Sequence, residues 1–260
     1  WLIRDGDGWT AVDSGIKNSE TKKCWDKILN ESLEGSLLKK IVVTHFHPDH
    51  VGNAAWLASK FRLNIHMTQS EFLVTHACYH GFAGQNSEST IKLFAAHGLS
   101  LKNVDNDSPV PNAYRLRVEE PPSSYIRIAD QEKLLIGDNE WQIIVGYGHA
   151  PEHASLYCEA LGLLIAGDML LPKITTNISV EANNPDGNPL KSFLESIKKF
   201  HDIPHNVLIL PSHGLPFKGG KTRAIMLDEH HSDRFSDIIA ACIKPQTAYQ
   251  LLPVLFKRSL

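Results

Sequence analysis

The chain has 260 residues, 42% of them hydrophobic and 21% charged, with a net charge of -3 and a pI near 6.6. That length admits one large domain, and the charge balance gives no general attraction to nucleic acid or to an anionic membrane. No run of about 18 apolar residues is present, so no membrane span is expected. Cys24, Cys78, Cys158 and Cys242 are scattered and form no C-x-x-C pair, which points to a reducing cytoplasm rather than to a disulfide framework.

Trp1 opens the chain inside a strand-like stretch, so a native start upstream of it is expected. "WLIRDG" and "DGWTAVDSG" read as a hairpin about an Asp-Gly turn. "SETKKCWDKILNESL" carries Trp25, Ile28, Leu29 and Leu33 at helical spacing, with Ser19 as the candidate cap. "KKIVVTHFH" is an apolar strand, "NAAWLASKF" suits a helix and "LNIHMT" a further strand. This alternation predicts an α/β layered domain. Residues 70–125 differ: two Gly-bounded helical stretches and a turn-rich segment read as an insertion beside the site. Strands resume with "EWQIIVGYG", "HASLYCEA", "GLLIAGDML" and "NVLILPSHG". A long helix is expected from Lys221 to Ile243, and another after a cap at Thr247. The expected division is a catalytic domain over 1–220 and a helical extension over 221–260.

The motif that carries chemistry is "IVVTHFHPDHVGN". His45, His47, Asp49 and His50 form H-x-H-x-D-H, which composition alone would produce about 0.002 times per chain. His149, Asp168 and His213 each follow an apolar strand with Gly or Pro nearby. Ligand groups in layered α/β sheets gather at such strand ends. Imidazole and carboxylate suit zinc first, and also iron, manganese or cobalt. His45 and His47, two apart on extended backbone, point the same way and with His149 make one face. Asp49, His50 and His213 can address a neighbouring ion, with Asp168 bridging. Two ions roughly 3.5–4 Å apart can share a hydroxide.

"THFHPDHVGN", "GYGHAPEHAS", "LIAGDML" and "LPSHG", in that order, resemble the metallo-β-lactamase superfamily. The resemblance implies an αββα sandwich. It also implies a first metal on His45, His47 and His149 and a second on Asp49, His50 and His213, bridged by Asp168. Asp49 would orient the hydroxide as well as bind metal. The "AGD" sequence, in place of a cysteine ligand, is more similar to the glyoxalase II, lactonase and ribonuclease Z branches than to true β-lactamases. The family's "TPGHT" is altered to "GYGHA", which puts Tyr147 beside the site. The helix after Lys221 is similar to the winged-helix extension of some family hydrolases.

The expected activity is hydrolysis of a small ester, thioester or lactone. The rivals are an endoribonuclease with the same metals, for which Lys173, Lys218, Lys221 and Arg223 are the candidate phosphate contacts, and a non-enzymatic metal-bound sensor. Tyr147, Asn177 and His153 are candidate substrate contacts, and His153 also reads as a packing group behind the ligands. The remaining histidines, such as His66, His76 and His80, read as ordinary surface or core residues.

Overall fold

Two β-sheets stack face to face in the computed structural model, which describes residues 1–33, 35–82, 87–100 and 112–256. The first sheet runs β1 (Leu2–Asp5), β2 (Gly8–Val12), β3 (Leu38–Val42), β4 (Ile65–Met67), β5 (Ile126–Arg127). β1 and β2 are antiparallel, and the remaining pairs are parallel. The second sheet lies in the order β11 (Phe217–Lys218), β10 (Leu208–Pro211), β9 (Leu163–Gly167), β8 (His153–Cys158), β7 (Asn139–Gly146), β6 (Lys133–Ile136). Its pairs are antiparallel except β9 with β10.

The period-two alternation of the strands explains the stacking. Val42, Ile143, Val145 and Ile165 point between the sheets, around Trp141. Their neighbours Ile41 and Val43 point outward, against Trp25 on α1 (Ser19–Lys27), Leu57 on α3 (Ala54–Phe61) and Phe72 on α4 (Gln69–Tyr79). A four-residue α2 (Pro48–Val51) lies between β3 and α3. On the other outer face Ile144, Leu164 and Ala166 meet Phe193 and Ile197 of α7 (Pro189–Ile197) and Leu227 of α8 (Gly220–Ala241). The layers are therefore helix, sheet, sheet, helix, as the resemblance implied. Each fully buried Ile, Leu or Val contributes about 1.5–3 kcal/mol.

Several details differ from the sequence reading. Asn18, not Ser19, caps α1: its extended backbone lets its side chain accept from Thr21 N at 2.7 Å. β5, β6 and α7 were not anticipated. β5 is two residues long, and β6 forms the first arm of a hairpin with β7. α7 carries an Asn188 cap and Pro189 at its first turn. The described part of 70–125 holds α4, α5 (Ser87–Ala96) and α6 (Ala113–Arg117). Residues 83–86 and 101–111 of that stretch lie outside the described residues. α9 (Ala248–Leu255) starts on a Thr247 capping box with Gln250. No helix among the described residues is long and apolar enough to cross a membrane.

Candidate metal centre

The ends of β3, β7, β9 and β10 meet at one edge of the sandwich. Ala154 N donates to Thr44 O at 2.8 Å and Ser212 N to Gly167 O at 3.0 Å, which ties these ends together. After β3 the backbone stays extended through His47, which caps α2. Pro48 at the first helical position presets that turn, and Asp49 and His50 follow on it. All seven predicted ligands converge here. Three groups have ligand atoms within 4.8 Å of one another: His45 with His47 and His149; His45 with His50 and Asp168; Asp49 with His50 and His213.

The distances define two overlapping sets. His45 Nε2 lies 2.9 Å from His47 Nδ1 and 3.1 Å from His149 Nε2. Asp49 Oδ2 lies 3.4 Å from His50 Nε2 and 3.3 Å from His213 Nε2. Asp168 Oδ2 lies between the sets, 3.5 Å from His149 Nε2, 3.6 Å from His50 Nε2 and 3.5 Å from His213 Nε2.

These residues fit divalent metal. Three imidazole nitrogens crowd at His45, His47 and His149, where at most some can be protonated to bond the others. His50 Nε2 and Asp168 Oδ1 are buried without a hydrogen-bond partner, a costly arrangement unless a ligand meets them. The opposite ring nitrogens are already engaged, which aims the free lone pairs inward. His45 Nδ1 meets Thr44 Oγ1 at 2.9 Å, His149 Nδ1 meets Asn177 O at 2.7 Å and His50 Nδ1 meets Asp13 Oδ2 at 2.9 Å.

Protonation states agree. Burial, then the neighbouring imidazoles, holds His45 far below its ordinary value and His47 near 4, so both are neutral donors. The His50 ring, 3.4 Å away, takes the Asp49 carboxyl down to about 2. Burial opposes ionisation of Asp168, but His149 and His50 outweigh it and hold that carboxyl well below the usual range. His50 is the exception: burial opposes its charge, yet Asp13, Asp168 and Asp49 raise it well above the ordinary histidine value, so it would have to give up its Nε2 proton to serve as a donor.

Three supporting groups escaped the sequence reading, and a fourth, Asn177, expected as a substrate contact, supports a ligand instead. Asp13, at φ +63 just after β2, accepts from Thr44 N at 2.8 Å as well as meeting His50. Its signal was an aspartate followed by Ser-Gly at a strand end, the same pattern that marked Asp168. Thr44 joins that network through its hydroxyl. Glu71 on α4 is fully buried and accepts from Phe46 N at 2.8 Å and Glu152 N at 2.6 Å. It thereby clasps the two loops that carry His45, His47 and His149. Burial pushes its carboxyl up to about 8 against the pull of those amides. Asn177 acts through its carbonyl, while its side chain donates to Ser179.

His153 does not face substrate. It is wholly buried behind the cluster, and its Nε2 accepts from Asp168 N at 3.1 Å. Burial takes its ring to about 3, which keeps that nitrogen an acceptor. The ring explains Gly167, at φ +54, where a Cβ would meet His153 Nε2 at 2.3 Å. Tyr147 is partly exposed and lines a cleft of about 320 Å³ next to His149. α4 contributes Val74 to that cleft, and Tyr114 of α6 donates to Phe46 O at 2.6 Å, so the described insertion abuts the site.

The profile of the metallo-beta-lactamase superfamily matches residues 1–213, and the chain belongs to that superfamily. It is similar to a beta-lactamase domain protein from Burkholderia ambifaria: 37% identity and a TM-score of 0.86, over 98% of this chain and 76% of that one. A metallo-beta-lactamase family protein from Thermus thermophilus gives 28% identity and a TM-score of 0.81, over 99% of this chain and 82% of that one. The Bacillus subtilis protein named "Probable metallo-hydrolase YqjP" is 21% identical over 261 residues, 98% of this chain and 79% of its own.

Proposed function

We propose that the chain is a binuclear metal-dependent hydrolase of a small ester, thioester or lactone, nearer to the bridging-aspartate branches than to true β-lactamases. The observation that carries this reading is the place of Asp168 Oδ2, within 3.6 Å of imidazoles from both donor sets. His45, His47 and His149 would hold one ion and Asp49, His50 and His213 the other, with Asp168 shared. Donors that are all nitrogen or oxygen suit zinc, with iron or manganese as substitutes. Two such ions supply Lewis acidity and bring the pKa of water near 7.

The chain's own residues do the rest. Asp49, ionised and half exposed, accepts a hydrogen from the attacking water and so aims its lone pair. Asp13 and Thr44 keep His50 oriented, and the Asn177 carbonyl keeps His149 oriented. The cleft beside His149 receives the substrate. Substrate choice falls to the described insertion and to the loop after Asp168, since variety in such scaffolds resides in loops.

A small molecule fits better than RNA. The net charge is -3, and Arg223 spends its guanidinium on the carbonyls of Leu171, Lys173 and Ile174. The relatives named metallo-hydrolases support an enzyme over a sensor. All four cysteines are free, which supports a reducing cytoplasm. Metal analysis with a panel of ester, thioester, lactone and RNA substrates tests the reading. Two ions per chain and ester-type turnover are expected; at most one ion under metal-replete conditions, or turnover of RNA alone, would overturn it.

A further inference from the structure

We propose that the cleft beside His149 selects a substrate whose acyl or leaving group carries a positive charge, with Glu181 as the specificity-determining residue. This rests on the hydrolase reading above and narrows its substrate class.

The lining of the cleft is mixed: Phe46, Val74 and Tyr147 are apolar or aromatic, and the loop before α7 adds Glu181, Asn184 and Asn188. Its volume of about 320 Å³ suits a small organic group. No lysine or arginine lines it among the described residues. The nearby ammonium of Lys199 sits 5.9 Å from the Tyr147 ring, but it is already held by Asp130 at 2.9 Å and by Val145 O at 2.7 Å.

Glu181 lines the cleft as a solvent-exposed residue and forms no ion pair among the described residues, and partial desolvation raises its carboxyl. That carboxylate is uncommitted, and a cation seated in the cleft would be drawn to it more strongly as the occupant displaces water between them. The asparagines can orient the polar part of the group without adding charge. A carboxylate or phosphate occupant would face Glu181 with no lysine or arginine among the described lining residues to offset it.

The test uses three chromogenic esters of one chain length, ending in an ammonium, a hydroxyl or a carboxylate. Metal-loaded wild type, Glu181→Gln and Glu181→Lys are compared. In parallel, calorimetry measures binding of the matching ω-ammonium amide, which has no ester to cleave. The expected order of kcat/KM in the wild type is ammonium, hydroxyl, carboxylate. In Glu181→Gln the ratio of ammonium to hydroxyl ester should fall roughly 10- to 100-fold, as for loss of a charged hydrogen bond. In Glu181→Lys the order should invert, which also shows that the variant folds. Binding of the amide should weaken in both variants. A wild type that prefers the carboxylate, or variants that change all three esters equally, would overturn the proposal. If no ester is cleaved but amide binding still depends on Glu181, the cleft assignment stands and the hydrolase reading falls. Neither cleavage nor binding would sink both.

Discussion

The two sheets furnish the donor cluster in opposite ways. The first supplies His45, His47, Asp49 and His50 from six consecutive residues, buttressed by Asp13, Thr44 and Glu71. The second supplies His149, Asp168 and His213 from three separate strand ends, with the Asn177 carbonyl behind His149 and the His153 ring behind Asp168. Exposure cuts across that division: on the first sheet the His50 side chain is 2% exposed and that of Asp49 47%, and on the second that of His149 is 3% and that of His213 45%. A compact loop with shared supports is an all-or-none device. Donors on separate strand ends fail one at a time.

The largest expected effect is that of His47→Ala. Turnover of a model ester should fall well beyond the roughly 100-fold typical of supporting residues, while the circular dichroism spectrum is kept. A chain this long buries an apolar core without help from metal. His213→Ala should cost less and leave one ion bound per chain by metal analysis. Equal losses would break the contrast between the sheets, and a His47→Ala protein that keeps most activity would remove His47 from the site.

Asp13→Asn probes the buttress itself. Its amide nitrogen cannot accept from Thr44 or His50 as a carboxylate does, so metal affinity should weaken by about 10- to 100-fold. An unchanged affinity in competition with a chelator would show that the network holds the loop without Asp13. On the second sheet the matching support is steric. Gly167→Ala adds a Cβ onto the His153 ring at a positive φ, and unfolding free energy should drop by about 1–3 kcal/mol. A melting temperature equal to that of wild type would mean that the ring moves freely.

The finest contrast concerns pH. Glu71 rises from an ordinary 4.5 to about 8 in the fold. Between those values the folded chain keeps a proton that the unfolded chain has lost, so stability declines as pH rises across that window. In chelated protein the difference between wild type and Glu71→Gln should therefore shift against wild type by at most about 1.4 kcal/mol per pH unit. Parallel stability curves for the two proteins from pH 5 to 8 would exclude Glu71 as the source.

The seven candidate ligands were legible because their pattern is local or sits where an apolar strand stops. The layer order was legible too, since Ile41, Val42 and Val43 alternate between two cores. What stayed hidden has physical reasons. Glu71 lies on a helix, where a glutamate ordinarily reads as solvated; only the tertiary packing shows it to be buried. Asp13 looked like part of a hairpin because its partner, His50, is 37 residues away. Asn177 acts through a backbone carbonyl, which any residue has. α7 had readable signals in Asn188 and Pro189, but its apolar face has meaning only against Ile144 and Leu164 of the second sheet.

The clasp from Arg223 has a consequence for modularity. The superfamily match stops at residue 213, and a cut there looks natural on paper. Yet Arg223 reaches back to three carbonyls in the segment that follows Asp168, and Ala224 and Leu227 on the same helix are fully buried against the outer face of the second sheet. A shortened protein would unveil that apolar surface and release the strap that leads to Asn177, and through its carbonyl the ring of His149. The first turns of α8 are thus a tenon in the hydrolase body, and any grafting or trimming of this scaffold has to carry them along.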